Sequence, residues 1–131
     1  MRILLVDDHA VVRAGFKTLL ENQGDLSVIA EAESGEAACR QFIEHAPDVV
    51  IMDLSMPGVG GIEAIRRIVS RQSDARVLVF SMHEDTLFVE QALQAGARGY
   101  FGKSSAPVVL VEAVRQIANG NIYIDPDTAQ R

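Results

Sequence analysis

A doubly wound α/β fold, with a five-stranded parallel sheet of order 2-1-3-4-5 and helices on both faces, is the architecture the sequence predicts. Three observations lead there. Short apolar runs alternate with stretches of helical spacing five times along the chain. The runs Ile3–Val6, Val49–Met52 and Val77–Phe80 are apolar at every position, as strands covered on both faces must be. Two further runs are mixed: Leu26–Ala32 interleaves Ser27 and Glu31, and Arg98–Phe101 carries Arg98 and Gly99, so both are expected at edges.

In chain order, the first strand is expected over Arg2–Val6, and the segment after it repeats Val12, Phe16, Leu19 and Leu20 on one helical face. The second strand is expected over Leu26–Ala32, the third over Asp48–Met52, the fourth over Arg76–Phe80 and the fifth over Arg98–Phe101. Ile62, Ile65, Ile68 and Val69 mark the helix between the third and fourth. The last helix shows Leu110, Ala113, Val114 and Ile117 on one face, with Pro107 in its first turn and Asn119-Gly120 as its stop. Strict βα alternation implies a parallel sheet with helices on both faces. Three central and two edge strands fit the flavodoxin-like order 2-1-3-4-5, in which the chain reverses direction between strands 1 and 3. Ligands of such sheets bind in the crevice this reversal opens at the C-terminal strand ends.

The 131 residues suffice for one domain with one enclosed core. A composition of 48% hydrophobic and 23% charged residues is globular. No apolar run approaches membrane-spanning length, and Ile3-Leu4-Leu5-Val6 ends at once in Asp7-Asp8, unlike a signal peptide. A cytoplasmic location and no membrane partner are therefore expected. The net charge of −6 makes a poor nucleic-acid surface, so DNA is expected to be reached only through an additional domain. Cys39, the single cysteine, is expected as a packed or half-buried helix residue. Residues 1–120 are read as the domain. The tail Asn121–Arg131, with Asp125-Pro126-Asp127, is read as an extended segment starting a linker.

Chemistry gathers at the predicted crevice. Asp7 and Asp8 directly follow strand 1, Asp53 follows strand 3, Ser81 follows strand 4, and Lys103 lies just beyond strand 5. One Asp after a strand is ordinary turn chemistry; four strands delivering reactive groups to one edge define a site. Three crowded carboxylates must protonate, separate or share a cation. All-oxygen ligands point to a hard ion, Mg²⁺ or Mn²⁺. Lys103 supplies positive charge and Ser81 a hydroxyl donor, while Asp53, at the tip of the central strand, faces the middle of the crevice and can attack phosphorus in line.

The stretches LLVDDH, DVVIMDLSMPGVGGIE, VLVFS and AGARGYFGKS, in this order, resemble the receiver domains of two-component response regulators, over roughly Met1 to Gly120. That resemblance implies that Asp53 is the phosphoacceptor, phosphorylated by a sensor histidine kinase and losing the group by slow autodephosphorylation. Asp8, Asp53 and the backbone carbonyl of Ser55 would ligate Mg²⁺, with Asp7 acting largely through a metal-bound water. Ser81 and Lys103 would contact the phosphoryl oxygens. Ser81 and Tyr100 would be the switch pair, altering the face of helix 4, strand 5 and helix 5 that includes Phe88, Tyr100 and Val111; no organic cofactor is implied. DDHAVVRAG, FSMHED and GNIYIDPD are similar to the subgroup whose receivers precede a LuxR-type helix-turn-helix, which implies transcription regulation through a C-terminal output domain. A homodimer on phosphorylation would use either helix 1 with helix 5 or the helix 4–strand 5–helix 5 face.

Some positions depart from the family's pattern or sit beside it. Gly102 stands where related chains usually carry a larger apolar residue, which leaves open how strand 5 ends and where Lys103 points. Ser104 replaces a frequent proline. Ser55 and His83 border the path of attacking water in the family, and His9, beside the acidic pair, is expected to serve in helix-start packing or capping in preference to binding metal, since the site already has hard oxygen ligands. An aspartate-nucleophile phosphatase would carry a second acid at the position of Ser55. A flavin phosphate loop would avoid Asp7-Asp8, and a cobalamin motif would need glycine at Val12. A stand-alone, phosphorylation-independent interaction module is the remaining alternative.

Overall fold

The computed structural model describes residues 1–56, 60–81 and 86–124, the side chains of 86–88 excepted. The strands are β1 (Arg2–Val6), β2 (Ser27–Ala32), β3 (Val49–Asp53), β4 (Val77–Ser81), β5 (Gly99–Gly102) and β6 (Tyr123–Ile124). The helices are α1 (Ala10–Glu21), α2 (Gly35–His45), α3 (Gly61–Arg71), α4 (Thr86–Ala95) and α5 (Ala106–Ala118), with one 3₁₀ turn over Lys103–Ser105. The sheet runs β2-β1-β3-β4-β5-β6 with every pairing parallel.

Because successive strand side chains point to opposite faces, the fully apolar strands feed two cores. Leu4, Val6, Val50, Met52, Val77 and Val79 face one way and meet Ala38 and Phe42 of α2, Ala64, Ile65 and Ile68 of α3, and Val89 and Ala92 of α4. Ile3, Leu5, Val49, Ile51, Leu78 and Phe80 face the other way, against Phe16 and Leu20 of α1 and Leu110, Val114 and Ile117 of α5. A strand buried on both sides tolerates no polar residue until its end. That is why the polar side chains collect at one edge.

Local signals set several helix limits. Ser34 caps α2, its Oγ accepting from the Ala37 N–H at 3.1 Å, a contact worth about 1 kcal/mol. Pro107 occupies the first turn of α5, and that helix ends before Asn119, as expected. Cys39 lies half-buried on α2, and burial pushes its thiol pKa up. Among the described residues, no helix is long and apolar enough to cross a membrane.

The sheet corrects the expected strand count. Tyr123 and Ile124, placed by sequence in a segment leaving the domain, instead form a sixth strand, and β5 is therefore interior. Tyr123 pairs with Gly99 and Ile124 with Tyr100. Gly99, which suggested an edge, marks this close approach: a Cβ there would lie 2.7 Å from the Tyr123 carbonyl oxygen and 2.8 Å from Ile117 Cδ1. Tyr100 is fully buried and belongs to the core beside α3 and α4. Strands 3 and 4 each run one residue further than expected, since Asp53 pairs with Phe80 and Ser81 with Gly102.

Gly99→Ala is expected to lower stability by about 1–3 kcal/mol, the usual cost of overpacking, seen as a reduced urea midpoint at nearly constant m-value. An unchanged midpoint would show that β6 has room to spare.

Candidate functional site

The crevice between the C-terminal ends of β1 and β3 holds the predicted carboxylates. Asp7 and Asp53 are fully buried, and Asp8 retains 27% exposure. The Asp7 N–H donates to the Ala32 carbonyl at 3.1 Å, which ties the end of β1 to β2. Asp7 Oδ1 accepts the His9 N–H at 2.7 Å, and Asp53 Oδ1 accepts the Ser55 N–H at 2.8 Å. Each backbone donor orients one carboxylate and leaves its second oxygen directed elsewhere. Gly61 lets α3 begin directly against this edge, since a Cβ there would stand 2.6 Å from the Asp53 carbonyl oxygen.

Lys103 answers the negative charge. Its Nζ lies 3.2 Å from Asp7 Oδ2 and 3.9 Å from Asp53 Oδ2, with the side chain only 14% exposed. Gly102 is the last residue of β5, paired with Ser81, so the strand stays in register up to Lys103. The ammonium also stands 5.5 Å from the centroid of the Phe80 ring, a cation–π distance. Phe80 is itself held between Phe16 and Phe101, at centroid separations of 5.0 and 5.4 Å. The α1 and α5 side of the core thus supplies the floor beneath the site lysine.

Ser81, at the end of β4, is buried, and its Oγ lies 3.3 Å from Ser55 Oγ. Asp7, Asp8, Asp53, Ser55, Ser81 and Lys103 are therefore gathered at one edge. Tyr100 sits further back in the core on β5. Val111 is partly buried against the opposite core. His83 and the side chain of Phe88 lie outside the described residues.

Two contributors were not singled out as site residues from sequence. Arg13 donates through its guanidinium to the Asp7 carbonyl at 2.5 Å and to Glu31 Oε1 at 3.1 Å, bracing the β1–α1 turn against β2. Its motif position in DDHAVVRAG was visible, but its target was not. His9, expected to pack or cap, does neither. Its side chain is 62% exposed, makes no cap hydrogen bond, and places Nδ1 3.2 Å from Asp7 Oδ1 and 3.1 Å from Asp8 Oδ1.

Electrostatically the site is strained. Burial pushes the Asp53 pKa up; the Ser55 N–H opposes this, Asp7 adds to it, and Lys103 opposes it. Asp7 Oδ2, Asp8 Oδ1 and Asp53 Oδ2 are buried without hydrogen-bond partners. One ligand atom from each of Asp7, Asp8, His9 and Asp53 falls within 4.8 Å of the others. Buried carboxylate oxygens without hydrogen bonds, on residues whose ligand atoms cluster this closely, form a donor set that a divalent cation fits.

Known proteins resemble this chain in sequence and in fold. The chain is 41% identical over its full length to the response regulator UvrY of Escherichia coli, and spans 60% of that protein. It covers 61% of the response regulator GacA of Pseudomonas viridiflava at 40% identity. A LuxR-family two-component response regulator from Aurantimonas superposes with a TM-score of 0.95 at 46% identity, covering 98% of this chain and 92% of that one. The isolated receiver domain of RcsB from Salmonella enterica, determined with the phosphomimetic BeF₃⁻, superposes at 0.90 with 26% identity, covering 99% and 96%. With residues 3–115 also matched by the model of the response regulator receiver domain, the chain belongs to that family.

Proposed function

We propose that Asp53 accepts a phosphoryl group from a sensor histidine kinase in a reaction that requires Mg²⁺ or Mn²⁺. The observation that carries this is the orphaned, buried Oδ2 of Asp53 within reach of Lys103 at the end of the central strand. When bound, the divalent ion would neutralise the carboxylates and polarise the phosphoryl oxygens. Asp8, Asp53 and the Ser55 carbonyl would hold it, with Asp7 acting through water.

The chain's own residues position and balance the transfer. Asp53 Oδ2 attacks phosphorus in line as the bond from phosphorus to the donor nitrogen breaks, and the released imidazole takes up a proton. Lys103, braced on Phe80, offsets charge on the transferred oxygens, and the Ser81 hydroxyl donates to one of them. Drawing Ser81 forward loosens its contact with Ser55 and changes the space available to Tyr100. The phosphoryl group biases this equilibrium by binding one packing better. Ser55 takes the place of the second acid a phosphatase would use, which favours a phosphoacceptor with slow autodephosphorylation over a turnover enzyme.

Beyond the domain, the chain is proposed to regulate transcription from the cytoplasm. The segment 121–131 would carry the chain through β6 toward a DNA-binding output domain, in keeping with the longer relatives it partly spans. RcsB, similar across 99% of this chain, is described as dimers bound to DNA. Exposed Val11 and Val108 stand on α1 and α5, which favours that pair of helices for self-association on phosphorylation.

Incubation with Mg²⁺ and a small acyl phosphate should add one phosphoryl group by intact mass, labile to hydroxylamine. Asp53→Asn should abolish the addition and chelation of Mg²⁺ should suppress it; equal labelling of the Asn variant would refute the assignment.

Stability should follow the raised Asp53 pKa. The folded state holds this proton more tightly than the unfolded chain, so stability contributed below the ordinary carboxylate range is lost as pH rises through the raised value. Metal-free Asp53→Asn should therefore melt higher than the wild type at neutral pH, with the gap closing under acid. Parallel melting curves across that range would contradict the burial argument.

Val108→Glu should keep the phosphorylated chain monomeric in analytical ultracentrifugation while the wild type dimerises. Unimpaired dimerisation of the variant would exclude this face.

A further inference from the structure

His9 occupies the N-cap position of α1 without capping it. Its ring stands over the acidic pair instead of packing, and two features point to a purpose. First, Nδ1 is shared between two carboxylates: it lies 3.2 Å from Asp7 Oδ1 as a hydrogen-bond partner and close to a second oxygen on Asp8. Asp8 Oδ1 lies 3.1 Å from the ring nitrogen, yet that oxygen is buried and has no hydrogen-bond partner. Second, the spacing matches coordination. Cis ligands on an octahedral ion with bonds of about 2.1 Å lie about 3.0 Å apart. Nδ1 stands 3.1 Å from Asp8 Oδ1, the directly ligating carboxylate of the pair. Asp7 Oδ2 and Asp53 Oδ2, on fully buried side chains, are likewise without hydrogen bonds.

We infer that His9 Nδ1 is a further ligand of the cation held by Asp8 and Asp53 beside Asp7, and that it biases this site toward borderline transition ions such as Co²⁺, Ni²⁺ or Zn²⁺. This rests on the proposed divalent site. The chemistry follows from ligand type. Mg²⁺ prefers oxygen and keeps its waters, gaining little from imidazole. Imidazole nitrogen raises affinity for the later first-row ions. Coordination through Nδ1 leaves the ring proton on Nε2, and with the side chain 62% exposed water can accept it. The position is therefore a selectivity element added to a hard-ion site.

The test compares wild type, His9→Ala and His9→Gln by calorimetric titration with Mg²⁺ and with Co²⁺, alongside paramagnetic NMR of the Co²⁺-loaded chain. Loss of His9 is expected to weaken Co²⁺ by about tenfold or more while changing Mg²⁺ affinity by less than about twofold. A hyperfine-shifted imidazole resonance should appear in the wild type and vanish in both variants, whereas any binding at His45 or His83 is common to all three. Equal losses for both ions would make His9 an organiser of the carboxylates, and no loss would leave it a bystander; either result overturns the inference. If the wild type binds neither ion, the divalent site itself fails. Should a variant unfold, the wild-type resonance alone decides, and its absence counts against ligation.

Discussion

Two carboxylates shut away from water, Asp7 and Asp53, end adjacent parallel strands, and the surrounding structure answers their charge. Like charges buried together raise each other's cost of ionisation. The fold meets this with a lysine from the far side of the sheet and with backbone N–H groups from His9 and Ser55. Three oxygen atoms still lack hydrogen bonds, two of them facing Lys103 and the third His9. The site is thus held in deficit of positive charge, which a divalent ion with an incoming phosphoryl group would complete.

Keeping such a deficit in place requires a rigid frame, because carboxylates with room to move would turn to solvent. The frame comes from strands apolar on both faces, whose side chains lock against helices above and below. Lys103 illustrates the dependence. Its position follows from the pairing of Gly102 with Ser81, and its ammonium stands over the ring of Phe80, which α1 supports through Phe16. The reach of one ammonium group is set by packing on the opposite core. Arg13 plays a comparable part for Asp7 by joining its carbonyl to Glu31 on β2.

Much of this was legible in the sequence, for a physical reason. Strands buried on both sides leave an unbroken apolar signature, so β1, β3 and β4 could be found, and the polar residues at their ends marked the crevice. What escaped notice depends on non-local geometry. Tyr123-Ile124 is too short to show a period, and its pairing became possible through the missing side chain at Gly99, which by itself suggested an edge. Gly102 looked like a threat to Lys103 because sequence cannot show that its pairing with Ser81 maintains register. His9 offered a ring whose direction no local pattern specifies. Residues whose role is fixed by their strand were readable; those whose role depends on a side chain's heading were not.

The sixth strand gives the proposed switch a physical route. Ile124 pairs directly with Tyr100, and Tyr100 lies in the core formed with α3 and α4. Ser81 is one residue beyond Phe80 on β4, and its hydroxyl meets Ser55 two residues past Asp53. A change in charge at Asp53 that drew Ser81 forward would therefore alter packing at Tyr100 and strain its ladder to β6. Such coupling needs a bistable element between the two ends. A fully enclosed ring meets that requirement better than a ring on a free edge, because its packing can change only between discrete arrangements. Burial of Tyr100 and its pairing with Ile124 would thus let a response at Asp53 reach β6.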